Sequence, residues 1–446
     1  MAEVRTVSGG LKMYDLKQRD FRVDLLSSLF GLGSWIAMTG LWVELPVLVQ
    51  RLPEGWALPS QLALFLQVAN VGPVAYGFFH HWWPKWVTER SATHFQLGVG
   101  ALSTLFLIFM WSWTVNGISL AFFLLSFGLS LVDCTSSVVF LPFMANFKAC
   151  YLTPYLAGEG LSGLVPSLVA IAQGIENPEC VNETRTSIVN GTNMTYYVQT
   201  YQAKEPRFSP EWFFAILLAM VLLSWLAFVL LDKLPFCQKE KVTCFKGEEC
   251  SAHEMEAFNK PTDISKDVSI HSPRYSRTLY IYLLFLQGWA SVATFGIFPA
   301  IQPYSCLPYG DGPFHTAVTL CGVAYPAACL LAMFWEIRSI PSLSWISVVA
   351  SIVSLYAVVT AVMSPHPPLL ESEMGPPLVV LCWVFFMFTF SYIKTMVTVL
   401  LGDYWGHRAL FWCGAVTQFG AVVGALLMFL LVNVFHVFKD DGLCII

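Results

Sequence analysis

The chain has 446 residues, 56% of them apolar and only 12% charged, with a net charge of −5. Soluble domains carry about 25% charged residues, so the composition excludes a string of soluble domains and predicts an all-α polytopic membrane protein. The lipid bilayer is the partner this composition demands, and nothing in it asks for nucleic acid.

The first 24 residues are polar and charged, and no small-residue cleavage site follows the first apolar run, so that run is read as a retained helix. Eleven apolar stretches are long enough to span, near 25–45, 60–79, 95–114, 118–140, 155–175, 211–231, 280–300, 314–335, 342–363, 376–401 and 409–432. In the first, Trp35, Thr39 and Trp42 recur at i, i+4 and i+7 and share a face, with Glu44 at the far end. This is either an aromatic belt or a stacking wall beside a polar mouth for a flat solute. Gln67 and Asn70 stand at i and i+3 in the second stretch; Gln287, Ser291 and Thr294 share a face of the seventh. Such amides bond a neighbouring helix or line a cavity.

Lys and Arg concentrate in the N-terminal tail, in the 232–279 segment and in the short loops on the same side, which sets the N-terminus inside. Three glycosylation sequons, at Asn182, Asn190 and Asn193, all fall between stretches five and six, on the opposite side. An odd number of spans puts the C-terminus outside as well. Cys306 and Cys444 then both lie in the oxidising compartment and are expected to pair, with Cys180 as competing partner. Cys237, Cys244 and Cys250 lack zinc-site spacing; Cys237 is a juxtamembrane candidate for palmitoylation.

Proline signatures repeat at near-constant offset: Pro46 and Pro299, Pro53 and Pro308, Pro73 and Pro326. They predict two related halves in a 6+5 two-bundle, MFS-like arrangement. The expected units are a cytosolic tail (1–24), a six-helix bundle (25–231), a cytosolic linker (232–279), a five-helix bundle (280–432) and an external tail (433–446). Membrane-buried charges are costly. Asp133 and Lys394 occupy equivalent positions in the repeat and are expected to pair across the halves, as a structural ion pair or as a gate or substrate contact. Glu159 shares a face with Ser162 and Pro166 and is read as snorkelling to the interface; with Glu44 it is a candidate for proton coupling. Gly420 and Gly424 signal close helix packing.

No Walker loop, H-E-x-x-H, G-x-S-x-G or dinucleotide fingerprint occurs, so no enzyme and no cofactor is expected. No dense acid cluster suits a metal, and no Arg lies deep in a span to fork onto an anion. The cavity chemistry fits a neutral, flat, polar aromatic molecule.

At GLGSW (31–35), GLWVELP (40–46), LPEGW (52–56), LVDCTSSVVFLPF (131–143), GEGLSGL (158–164), YSCLPYG (304–310) and LLMFLLVNV (426–434) the sequence resembles the vertebrate riboflavin transporter family, solute carrier family 52, closest to its intestinal-type member. The resemblance covers nearly the whole chain outside the N-terminal 24 residues and 232–279. It implies facilitated, sodium-independent uptake of riboflavin at the plasma membrane through eleven spans. The chain departs from the family pattern at Tyr325, where Asn is usual before the proline, and at the Met428–Leu431 run, where a proline is usual. Riboflavin suits the residues: Trp42 would stack on the isoalloxazine ring, Gln67, Asn70 and Gln287 would read its edge, and Trp35 would be a neighbour. The other readings are a carrier of a nucleoside or similar heteroaromatic solute, and a cell-surface receptor for a viral envelope protein, a role that related carriers serve.

Overall fold

A computed structural model describes residues 19–55, 58–174, 179–189, 192–202, 206–242 and 276–438. The first half comprises α1 (Phe21–Leu32), α2 (Ile36–Arg51), α3 (Leu58–Val68), α4 (Val71–Trp82), α5 (Glu89–Met110), α6 (Leu120–Met144), α7 (Leu152–Gln173) and α8 (Pro210–Lys233). A hairpin of β1 (Glu179–Val189) and β2 (Thr192–Gln202) joins α7 to α8, and a short α9 (Pro235–Lys239) follows α8. The second half comprises α10 (Arg277–Ser291), α11 (Phe298–Cys306), α12 (Asp311–Phe334), α13 (Ile340–Val362), α14 (Gly375–Trp405) and α15 (His407–Phe429).

Among the described residues, ten helical runs are long and apolar enough to cross a membrane, and the bent pair α1–α2 makes eleven. The pair bends by 49° across Gly33–Trp35. Glycine causes the break, and side-chain bonds support it: Ser224 Oγ donates to Phe30 O at 2.9 Å, and Thr39 Oγ1 donates to Trp35 O at 2.8 Å. The second span is also interrupted, between α3 and α4, where the Asn70 amide donates to Leu66 O and Gln67 O at 3.3 and 3.4 Å. In the seventh, a π-helical stretch, Val292–Ile297, joins α10 to α11. Such stretches shift the side-chain register within a span and recur at functional sites.

The sequon region, expected as a loop, forms an antiparallel hairpin with Asn182 opposite Gln199 and Asn193 opposite Ile188. Asn190 lies outside the described residues. The hairpin marks one end of the molecule; the segment after α8 marks the other. At the linker end, α9 and the residues after it fold back. Glu240 meets Lys148 at 2.7 Å and accepts from Tyr151 Oη at 2.9 Å, while Asp232 binds Arg90 at 2.6 Å. Cys237 is fully buried there, which removes it as a site for an acyl chain. Cys306 is likewise a fully buried free thiol in the second half's core, and its expected partner, Cys444, lies outside the described residues.

Glycines set the closest helix crossings. A Cβ at Gly31 would strike Tyr155 O, and one at Gly158 would strike Ser28 O, so α1 and α7 cross backbone to backbone. A Cβ at Gly424 would lie 2.7 Å from Gly296 Cα, so α15 presses on the π-helical stretch at the small-residue pair the sequence marked. Between the halves, α7 packs on α12 and α6 on α15. Gly160 faces Pro326, and Gly414 faces Ser137 O. One hydrophobic core, at the linker end, mixes residues of both halves: Phe140, Tyr155 and Phe228 with Cys329, Val399 and Leu410. The core nearest the hairpin end, from Leu32 to Val221, draws its described members from the first half alone. The halves are therefore fastened at the linker end.

Candidate functional site

Where α6 and α7 meet α10, α12, α14 and α15, a small polar cavity lies inside the protein. Ser137, Leu141, Leu156, Glu159, Gln287, Tyr325, Lys394, Thr395, Thr398 and Thr417 line it, and its volume is about 20 Å³. That is room for about one water molecule, so the site is closed around its own side chains.

Lys394 is its centre. α14 is mostly apolar and long enough to carry this residue far from either end, where it is 6% exposed. Its Nζ sits 3.6 Å from the centroid of the Phe295 ring and 5.6 Å from that of Tyr325. Glu159, on α7 of the other half, lies near enough to act on its charge, though the two make no ion-pair contact within 4 Å. Glu159 in turn accepts a hydrogen bond of 2.9 Å from Tyr325 Oη. The acid expected to snorkel therefore turns inward, because the α7–α12 crossing at Gly160 and Pro326 aims it at the second half. Trp35, from the first half, also packs on Phe295, stacked at 5.3 Å with only 10° between the planes. Trp35, Phe295 and Lys394 thus form a cluster that crosses the interface between the halves.

Gln287 lines the cavity as its helix face predicts, donating to Thr417 Oγ1 at 3.0 Å and leaving its carbonyl oxygen without a partner. Trp42 stands two turns beyond Trp35 and packs against the hairpin-end core of the first half. Gln67 and Asn70 lie at the α3–α4 break, each with an unpartnered side-chain oxygen, and neither lines the cavity. Glu44 forms no exposed mouth; it is fully buried and accepts from Gln173 Nε2 at 3.1 Å. The pairing of Asp133 with Lys394 is not made. The α6 helix turns Asp133 toward Met38 of α2 in its own half, while Lys394 faces Glu159. Equivalent places in a repeat are related by its axis, and that relation does not make two side chains meet.

The profile of "Solute carrier family 52, riboflavin transporter" matches residues 19–440. The chain belongs to solute carrier family 52. It is 40% identical to the family's member 3-A of Danio rerio, over 95% of this chain and 98% of that one. It is 37% identical to member 3 of Homo sapiens over 95% and 98%, and 33% identical to member 2 of Papio hamadryas over 94% and 96%. Among solved structures, the fold is similar to a variant of the E. coli fucose:proton symporter FucP, with a TM-score of 0.55 over 93% of each chain at 13% identity. The human organic anion transporter MFSD10 gives 0.54 over 93% and 94% at 12% identity. The fold of this family member is thus MFS-like.

Two residues of its site escaped the helix-face reading. Phe295 lies in the π-helical stretch, where a 3.6-residue period no longer tells which face a side chain takes. Tyr325 was marked only as a departure from the family pattern; its hydroxyl proves to be the link between Glu159 and the second half.

Proposed function

We propose that the chain carries riboflavin across the plasma membrane by alternating access, without sodium, and that the isoalloxazine ring binds between the halves against Trp35 and Phe295. The Trp35–Phe295 stack carries this reading. Two aromatic rings from opposite halves, held parallel, separate when the halves part and expose two flat faces to a flat ring. Lys394 sits on Phe295 and shares the adjoining cavity with Gln287, Tyr325 and Glu159, which supply donors and acceptors for the polar edge of the flavin. The Lys394 charge is offset by Glu159, which suits a neutral solute better than an anionic one.

In this reading the linker end faces the cytosol and the hairpin end faces outward, with the hairpin glycosylated at Asn182, Asn190 and Asn193. The units before, between and after the bundles keep the cytosolic tail, cytosolic linker and external tail of the expected topology. The cycle brings the two bundles apart at one end and then at the other, around the Lys394 cluster. The fastening at the linker end then makes this the conformer closed toward the cytosol.

The test is uptake of labelled riboflavin by cells expressing the chain, in sodium-containing and sodium-free medium. Excess unlabelled riboflavin should abolish uptake, and flavin mononucleotide and adenosine should leave most of it. Uptake blocked by adenosine as strongly as by riboflavin would replace the flavin with a nucleoside; no uptake above control cells would end the proposal.

A further inference from the structure

Asp133 is 1% exposed, and neither of its carboxylate oxygens has a hydrogen-bond partner. A buried carboxylate in that condition is costly unless it takes up a proton or meets a partner in the working cycle. The backbone N–H of Met38, in the first turn of α2, approaches the group but bonds neither oxygen. An anion beside the first turn of a helix is favoured by the aligned peptide dipoles. The break between α1 and α2 thus supplies a setting for the carboxylate and leaves its lone pairs open. Lys394 and Glu159 act on each other and not on Asp133.

Its position relates it to the cavity. Asp133, Ser137 and Leu141 follow one another at four-residue spacing on α6, so they share a face. Ser137 and Leu141 line the cavity. Asp133 therefore stands one helical turn, about 5.4 Å, further toward the hairpin end. On α2, Met38 lies three positions beyond Trp35 in the same direction. A ring seated against Trp35 would carry its side chain past this carboxylate.

We propose that Asp133 receives the ribityl hydroxyls of riboflavin and sets the preference for the vitamin over its phosphate ester. This rests on the flavin reading of the site above. A carboxylate accepts on two oxygens with about four lone-pair directions, and a polyol chain brings several O–H donors. The phosphate ester would instead bring about −1.5 to −2 charges to a site where, once the halves part and water ionises both acids, Asp133 and Glu159 stand against one lysine, Lys394. The same group thus rewards the hydroxyls and repels the phosphate.

The experiment measures binding of three flavins to purified protein: riboflavin, lumiflavin, which has the ring but a methyl group for the ribityl chain, and flavin mononucleotide. Asp133→Asn keeps the volume and removes the charge. Riboflavin should weaken by roughly ten- to a hundred-fold, the range of a charged hydrogen bond. Lumiflavin should stay within about twofold on the same scale, and the disadvantage of flavin mononucleotide relative to riboflavin should shrink. Retained lumiflavin binding is itself the proof of fold. If Asp133→Asn unfolds, Asp133→Ser is judged by the same riboflavin-to-lumiflavin ratio. An unchanged ratio in the folded variant, or an equal loss for both flavins, overturns the assignment and leaves the flavin reading standing. A wild-type protein that binds neither flavin overturns both.

Discussion

At the scale of single residues, the site is an arrangement of charge held in apolar surroundings. Lys394 is tolerable because Glu159 offsets it and two aromatic faces receive its ammonium group. The two charges act on each other without an ion-pair contact within 4 Å, so removing either one should cost less than the ~3–5 kcal/mol of breaking a contacting buried pair. Lys394→Met and Glu159→Gln should each lower the thermal transition of the purified protein, and the double variant should recover part of the loss. Additive losses in a double-mutant cycle would show that the two residues are independent. Tyr325→Phe removes only the 2.9 Å hydrogen bond to Glu159; it should cost about 1.5–3 kcal/mol and leave expression intact. Much at this scale was legible in the sequence. Trp35, Gln287, Lys394 and Glu159 all stood out as polar or aromatic groups in apolar spans. Which of them meet was not legible, since that depends on how each helix is rotated about its axis. Asp133 and Lys394 looked like partners by place in the repeat, yet a turn of α6 directs Asp133 to Met38.

At the scale of elements, the spans followed directly from apolar length, and ten of them appear as long helical runs near their expected places. The breaks within them did not. The 25–45 stretch reads as one continuous span although Gly31 and Gly33 lie at its break, and the π-helical stretch Val292–Ile297 has no sequence period of its own. Its cause is spatial: Gly296 and Gly424 allow α15 to press against it. Gly296→Ala should therefore cost about 1–3 kcal/mol by overpacking, read as a lowered thermal transition. Gly163 has open space around its Cβ position in α7, and Gly163→Ala should be neutral or slightly stabilising. Equal effects at the two glycines would mean that the α15 contact does not set the geometry of the seventh span.

At the scale of the molecule, two halves are joined at one end by a mixed core and by polar contacts that cross between them. His407 Nε2, at the start of α15, lies 3.1 Å from Glu89 Oε1 at the start of α5. The Tyr76 and Phe411 rings meet at 6.4 Å nearby. If the halves rock, this end must open in every cycle. Cysteines introduced together by Glu89→Cys and His407→Cys should form a disulfide under mild oxidation and stop riboflavin uptake, with recovery on reduction. Full uptake by the crosslinked protein would rule out opening at this end. The two-bundle plan itself was legible in the proline repeat, whereas the closed cavity was not, because volume depends on the conformer. The central claim is that the flavin ring binds between Trp35 and Phe295, and direct binding of riboflavin to purified variants tests it most closely. Trp35→Ala and Phe295→Ala should each weaken binding by about 1–3 kcal/mol, the scale of aromatic stacking on a base-like ring, while Trp42→Ala should cost less. Unchanged affinity in both Trp35→Ala and Phe295→Ala, in protein of normal thermal stability, would contradict it.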